Sequence, residues 1–213
     1  AVANDGYIFD SWTIAGATPA TSTNAVQEFT FTATDVMLTA NFVADPKRYT
    51  TIGETEISGS TNTQTGYGTE KVIVKDGLTW IHNGWQDNTN YKMIQLRKRD
   101  HSNGVSYIKL PVFSGNIQTI TCSVTGASVA SKDGAAVATT LNFQATADKS
   151  ADVIANSDGV STNTITIDLS SLDTDYNTGY ITVATSGTGV RIWDITVAYI
   201  PTDIAVAVTS AKY

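Results

Sequence analysis

Two runs of alternating apolar and polar residues stand on either side of a turn signal in the middle of the chain. The first run covers residues 91–99, YKMIQLRKR, and the second covers residues 105–113, VSYIKLPVF. The residues between them, DHSNG, include Asn103 and Gly104, which tolerate a positive φ and allow the backbone to reverse. The pattern therefore predicts a β-hairpin.

The alternation also predicts which side chains of this hairpin face the core. With a period of two, Ile94 and Leu96 share one face of the first strand, and Ile108 and Leu110 share one face of the second. If these aliphatic side chains are buried, the opposite face displays Tyr91, Gln95, Arg97, Arg99, Tyr107 and Lys109. We expect that face to be a binding surface for a polar or anionic ligand.

The chain beyond residue 48 repeats the same kind of pattern at short intervals. Further strands are predicted at residues 49–57, 69–75, 78–83, 116–126, 138–146, 151–156, 163–169, 179–185 and 191–200. Segments rich in Gly, Asn, Asp and Ser separate them, and helical periodicity is nearly absent. Many short strands with frequent turns predict an all-β fold, a β-sandwich of the jelly-roll type.

Length and charge restrict the class of protein. A chain of 213 residues is long enough to bury a core, and a net charge of -7 disfavours general binding to nucleic acid or to an anionic membrane. No apolar run approaches membrane-spanning length, so we expect no membrane insertion. The abundance of Thr, Ser, Asn, Gly and Ala is typical of secreted bacterial all-β proteins. Because the numbered chain opens without a basic or apolar leader, we expect any signal peptide to have been removed or to lie outside it.

Catalytic chemistry finds little support in the sequence. The single cysteine, Cys122, stands in a strand-like run and is predicted to be a small buried hydrophobe. The two histidines, His82 and His101, are accompanied by no GxSxG elbow or comparable context. Glycosidases need two carboxylates fixed across a cleft, whereas most acids here fall in turns. We therefore predict that the protein is not an enzyme.

Aromatic and amide side chains are concentrated in residues 80–91, WIHNGWQDNTNY. A sugar ring stacks on Trp or Tyr, and its hydroxyls pair with amides, carboxylates and cations. Trp85, in a turn, is therefore predicted to contact a ligand, and Tyr67 is a second candidate in a loop. Trp80 and Trp193 alternate with polar residues on strands and are predicted to lie in the core.

Positive charge is concentrated in the same region. The chain has 13 Lys and Arg residues, of which Lys92, Arg97, Lys98, Arg99 and Lys109 fall in one stretch. Arg pairs with carboxylates and sulfates through two parallel hydrogen bonds, so an acidic glycan such as pectin is an expected ligand. The alternative is a protected sheet edge, where cations discourage aggregation. The predicted carbohydrate-binding residues are Trp85, Tyr91, Gln95, Arg97, Arg99, Tyr107 and Lys109.

The first 45 residues form a pattern of their own. A strand GYIFDSWTIAG precedes a second run, EFTFTATDVMLTANFV, and the positions that carry the pattern are Gly6, Tyr7, Phe9, Trp12, Phe29, Phe31, Asp35, Val36, Leu38, Ala40 and Phe42. This resembles the second half of the divergent InlB B-type repeat, a small β-grasp-like module of bacterial surface proteins. The resemblance implies a partial module with Trp12 in its core. Pro46 then marks a linker, because the residue before a proline avoids helix geometry.

The end of the chain carries a second resemblance. The run RIWDITVAYI, joined to YITVATSGTGV, resembles the closing strands of jelly-roll carbohydrate-binding modules, and IQLRKR with VSYIKLP resembles the middle of such modules in polysaccharide-degrading proteins of Bacteroidetes. The resemblance implies a structural Ca²⁺ held by oxygen ligands between the first and last strands. Asp194, with Glu54 or Glu56, would be its ligands.

These patterns together predict three segments: a partial repeat at residues 1–45, a sandwich at residues 46–201, and the start of a further strand or module at residues 202–213. We expect a non-catalytic polysaccharide-binding module of a secreted or cell-surface bacterial protein, attached to other domains. The alternative is a structural or adhesive spacer module.

Overall fold

A computed structural model describes residues 2–3, 7–59, 66–87, 92–135, 138–157, 163–185 and 188–202. These residues form two compact units, with the division between Pro46 and Lys47. The predicted strand at residues 202–213 lies almost wholly outside the described residues, as do Gly6 and Tyr91.

The N-terminal unit is a small antiparallel assembly. Its strands are β1 (Tyr7–Ala15), β2 (Ala17–Thr18), β3 (Thr21–Ser22), β4 (Thr30–Phe31) and β5 (Met37–Ala44). Three of them form a sheet in the order β3-β1-β5, and β2 pairs with β4. The Trp12 ring packs against Phe9 and Phe29, with ring centroids 5.7 and 6.0 Å away, and Phe9 packs against Phe42 at 5.9 Å. An aromatic row therefore follows one face of this sheet.

The described residues of the second unit form one short helix and twelve strands. They are β6 (Arg48–Ile52), α1 (Glu54–Gly59), β7 (Lys71–Lys75), β8 (Leu78–His82), β9 (Trp85–Asp87), β10 (Met93–Leu96), β11 (Tyr107–Lys109), β12 (Gly115–Gly126), β13 (Leu141–Gln144), β14 (Ala155–Asn156), β15 (Thr164–Asp168), β16 (Tyr180–Val183) and β17 (Val190–Pro201). The strand predicted at residues 49–57 ends early, because the chain turns at Gly53 into α1.

The strands of this unit form two sheets. The first has the order β15-β12-β17-β10-β9, and the second has the order β14-β13-β16-β11-β8-β7. The long strand β17 pairs with β12 along one edge and with β10 and β6 along the other. The first and last strands of the unit are thus hydrogen-bonded neighbours.

One continuous core lies between the two sheets. Ile94 and Ile192 from the first sheet belong to the same buried cluster as Ile108, Phe143 and Ile181 from the second. Because inward side chains of both sheets share one core, the sheets pack face to face. This confirms the predicted β-sandwich and the inward direction of all four aliphatic side chains of the central runs, Ile94, Leu96, Ile108 and Leu110.

The predicted hairpin is wrong. Strand β10 pairs with β9 and β17 in the first sheet, whereas β11 pairs with β8 and β16 in the second. The connecting segment crosses between the sheets, and Lys98 forms a bridge with Val183 of β16 on the way. A turn pattern predicts that the backbone changes direction. It does not distinguish a hairpin within one sheet from a crossover between two sheets. The two runs bury their aliphatic residues from opposite sides of one core, whereas a hairpin would place both runs in the same sheet.

Candidate functional site

The outer face of the first sheet carries Gln95 between two neighbours. Gln95 stands opposite Trp85 on one side and Arg191 on the other. The side-chain oxygen of Gln95 accepts a hydrogen bond from Arg191 Nε at 3.2 Å, and its amide nitrogen donates to the Tyr67 hydroxyl at 2.8 Å. The polar groups of Gln95 are therefore engaged within the protein.

Arg97 continues this network. Its guanidinium carbon lies 3.7 Å from the centroid of the Tyr67 ring, a cation–π contact, and Nη1 lies 3.3 Å from His101 Nδ1. Burial raises the pKa of Tyr67, so its hydroxyl stays protonated next to the two arginines that flank it, Arg97 and Arg191. Tyr67 and Arg97, both predicted as ligand contacts, thus bind each other.

The outer face of the second sheet carries a different set. Lys109 on β11 stands directly opposite Tyr180 on β16, and the Tyr107 and Tyr180 rings meet edge to face with centroids 5.4 Å apart. Lys109 Nζ lies 5.8 Å from the Tyr180 ring centroid. All three side chains are half-buried. We call Tyr107, Lys109 and Tyr180 the tyrosine face.

Glu70 borders the tyrosine face and accepts a hydrogen bond from the Tyr107 hydroxyl. Burial raises the pKa of Tyr107, and the Glu70 carboxylate raises it further. Tyr107 therefore remains a neutral donor. Among the described residues, Lys109 has no carboxylate within ion-pair distance, so its charge is available to a ligand.

Arg99 lies beside the second sheet. Its backbone N–H donates to the carbonyl of Val183 at 2.9 Å, and its Nη1 donates to the carbonyl of Ala151 at 3.2 Å. Gln144 donates to the same carbonyl at 3.0 Å and accepts from the Thr182 hydroxyl at 2.5 Å. The Arg99 guanidinium therefore holds the loop that contains Ala151 in place.

The single predicted platform is therefore divided, which corrects the expected common surface. Trp85 and Gln95 belong to the first sheet, and Arg97 directly follows its strand β10. Arg99, Tyr107 and Lys109 lie with the second sheet, and Tyr91 lies outside the described residues. Because the sheets share one core, their outer faces point in opposite directions. Sugar contact by each of these residues stays a prediction.

Tyr180 was missed by reasoning from the sequence. A signal was present, since Tyr180 opens the alternating run YITV in which Ile181 and Val183 are buried. Its position beside Tyr107 depends on the pairing of β11 with β16, which no local pattern contains.

Two of the three predicted calcium ligands, Asp194 and Glu56, pair with lysines. Asp194 Oδ2 lies 3.1 Å from Lys132 Nζ, and Glu56 Oε1 lies 2.9 Å from Lys75 Nζ. The Asp194 carboxylate raises the pKa of Lys132, and Glu54 adds to the effect. Asp194 therefore pairs with one ammonium group and Glu56 with another. In the part of the chain that the structure describes, no group of three His, Cys, Asp or Glu side chains suits a metal ion, and the calcium prediction stays untested.

Three other predictions concern burial. Trp80 and Trp193 are 1% and 2% exposed, so both are buried as predicted, and Trp80 belongs to the core cluster shared by the two sheets. Cys122 is fully buried, and burial raises the pKa of its thiol to about 12, so it behaves as a small hydrophobe.

In the described segments, no helix is long and apolar enough to cross a membrane.

Comparison with known proteins bears on the N-terminal unit. Residues 1–46 match the family model of the Divergent InlB B-repeat domain. The match supports the predicted partial repeat. Such repeats are typical of bacterial surface proteins, so the chain carries a module of cell-surface type. Searches of the curated proteins and of the solved structures gave no significant match, and the resemblance of the sandwich to carbohydrate-binding modules remains a prediction.

Proposed function

We propose that the sandwich unit is a non-catalytic carbohydrate-binding module of a bacterial surface protein and that it holds polysaccharide on the tyrosine face. The observation that carries this proposal is the pair of half-buried rings, Tyr107 and Tyr180, in contact on adjacent strands with the Lys109 ammonium group 5.8 Å from the Tyr180 ring centroid. Rings supply stacking surface for the C–H face of a sugar, and the phenol and ammonium groups supply hydrogen bonds for its hydroxyls.

The shape of the surface favours internal segments of a polymer. Ile81, Lys109 and Tyr180 are directly opposed on three neighbouring strands, so the row crosses the sheet in steps of about 4.8 Å. An open row accepts a chain that continues in both directions. We expect dissociation constants in the range of roughly micromolar to millimolar, because an open surface leaves little binding free energy after ordering costs.

The first test is affinity electrophoresis of the full chain in gels that contain pectin, xylan or β-glucan. We expect the double variant Tyr107→Ala, Tyr180→Ala to lose about tenfold or more in affinity, since each ring contributes on the order of 1 kcal/mol. The variant Tyr107→Phe, Tyr180→Phe keeps the rings and should keep most of the retardation. Tyr67→Phe, at a turn residue that is hydrogen-bonded to Gln95 of the first sheet, is the control and should migrate like the wild type.

Equal retardation of the wild type and the double alanine variant would refute the tyrosine face. The same polymers, incubated with the protein and assayed for reducing ends, should yield no product, because glycosidases need two carboxylates and none of the three residues of the tyrosine face carries one.

A preference for acidic glycans follows from Lys109. We expect Lys109→Met to weaken binding to de-esterified pectin about three- to tenfold and to leave binding to fully esterified pectin unchanged, since only the former offers carboxylates to the ammonium group. Lys98→Met is the control, because Lys98 is paired with Asp100 at 3.4 Å. Equal losses of affinity for both pectins would show that Lys109 stabilises the fold and does not recognise the carboxylates of the ligand.

The second candidate function is that of a spacer or adhesive module, and the repeat at residues 1–46 favours it. A folded wild-type protein that is retarded by none of the polymers would support the spacer over the binding module.

A further inference from the structure

A second concave site lies on the first sheet, apart from the tyrosine face. The segment at residues 130–133, the start of α1 and β17 surround an open cavity of about 380 Å³. The side chains that line it are Glu54, Lys92, Ala130, Ser131, Lys132, Asp133 and Trp193.

The loop that forms one wall of the cavity is held firmly although it has no regular secondary structure. Asn163 Nδ2 donates to the carbonyl of Gly134 at 2.7 Å and to that of Lys132 at 3.3 Å. Arg191 donates to the carbonyl of Val129, and Lys132 pairs with Asp194 on β17 at 3.1 Å. The wall is thus anchored at several points, so ligand binding carries little entropic cost for ordering this loop.

The lining combines both signs of charge around a rigid wall. Lys92 offers an ammonium donor, Lys132 keeps N–H donors beyond the one bound to Asp194, and Glu54 and Asp133 offer carboxylate acceptors. Trp193 is 2% exposed and donates its indole N–H to Thr125 at 2.9 Å, which fixes the ring as a wall.

This mixture selects against simple ions. A free anion in the cavity meets Glu54 and Asp133, and a free cation meets Lys92 and the Lys132 ammonium group that Asp194 holds. A hydroxyl group satisfies both kinds of neighbour, because it donates to a carboxylate and accepts from an ammonium group. A volume of about 380 Å³ lies at the lower end of small-ligand sites.

We propose that this cavity binds the neutral end of a glycan chain, one or two sugar rings, as a second site that is independent of the tyrosine face. The loop at residues 130–133 bounds the cavity on one side, and its volume of about 380 Å³ accommodates one or two sugar rings at a chain end, whereas the open row on the second sheet admits a chain interior. The two sites would then let one module hold a polymer at different points.

The experiment is an NMR titration of the full chain with neutral disaccharides, cellobiose and galactobiose, following the backbone amides of residues 130–133. We expect saturable shifts at millimolar concentration for at least one of the two sugars. Ala130→Trp, which fills the cavity, should weaken that binding at least tenfold. Lys92→Met with Glu54→Gln, which leaves the space open and removes an ammonium donor and a carboxylate charge, should weaken it about three- to tenfold.

The variant Tyr107→Ala, Tyr180→Ala is the control and should bind the disaccharide like the wild type. Loop shifts that are absent for both disaccharides, or that persist unchanged in Ala130→Trp, would overturn the proposal. Neither outcome affects the polymer retardation assay of the tyrosine face, so failure of one site is distinguishable from failure of the other.

Discussion

Replacement of Phe143 by Ala should lower the free energy of unfolding of the sandwich unit by about 3–5 kcal/mol. Phe143 lies on β13, is 0% exposed and belongs to the core cluster that both sheets share. Its ring packs against Tyr176 with centroids 5.4 Å apart. Gly179 lies directly against this ring, since a Cβ atom added there would be 2.3 Å from two of its atoms. Because glycine has no side chain, it cannot fill the space that the truncation leaves. The loss therefore includes both the transfer of apolar surface and a lasting cavity.

Urea denaturation followed by tryptophan fluorescence measures this effect, because Trp80 and Trp193 lie in the sandwich unit. Val112→Ala is the control: Val112 is 67% exposed, and its truncation should change the free energy of unfolding by less than about 0.5 kcal/mol. Similar losses for the two variants would contradict a core shared by the two sheets.

Acid should destabilise the sandwich through His82. His82 is 1% exposed, and its Nε2 lies 3.0 Å from the side-chain oxygen of Gln86. Burial, and then the positive charge of Lys71, lower the pKa of His82 from 6.5 to about 4. Lys71 stands opposite His82 on the neighbouring strand and is itself buried, with its amine bonded to the carbonyls of Gly84 and Gly66. A second positive charge at this place has no carboxylate to offset it among the described residues.

The sign follows from linkage. The unfolded chain takes up the proton near pH 6.5 and the folded protein only near pH 4, so stability is present above pH 6.5 and is lost as the pH falls to about 4. This difference corresponds to a loss of about 3 kcal/mol from the free energy of unfolding. Urea denaturation at a series of pH values across this range measures it.

His82→Gln is the matched variant, since its amide keeps a donor toward Gln86 and takes up no proton. We expect its stability to fall less steeply over this pH range, whatever its absolute value. Glu56, Asp148 and Asp168, whose pKa values are lowered, lose their contributions as the pH falls below about 4.5 in wild type and variant alike, so the difference between the two curves isolates His82. Parallel curves, or an imidazole that titrates near pH 6.5 by NMR, would contradict the prediction.

Local patterns predicted the elements of the sandwich well. The alternation that marks β10, β11 and β17 is a property of each strand alone, because successive side chains point to opposite faces whatever the strand pairs with. Ile94 and Ile108 are therefore buried as expected. The partial repeat was also visible in the sequence, since its aromatic and aliphatic positions recur at fixed spacing and match the family model over residues 1–46.

The candidate site was predicted only in part. Tyr107 and Lys109 were identified as outward residues, but their partner Tyr180 is distant in the sequence and is brought beside them by the pairing of β11 with β16. Arg97 and Tyr67 were each predicted as ligand contacts, and the fold places the guanidinium over the ring instead. A side chain's type indicates what it can bind, and its neighbours in space decide whether that capacity is already used.

The sequence by itself determined the β class of the chain, the position of most strands and the direction in which their aliphatic side chains point, because these depend on residues within a few positions of one another. Tertiary structure alone decided which strands share a sheet. Backbone hydrogen-bonding groups do not distinguish one partner strand from another, because they are nearly the same in every residue. The pairing of β10 and β11 with different partners therefore followed from burial of one common core. That choice placed Gln95 and Arg97 on one side of the sandwich and Tyr107 and Lys109 on the other.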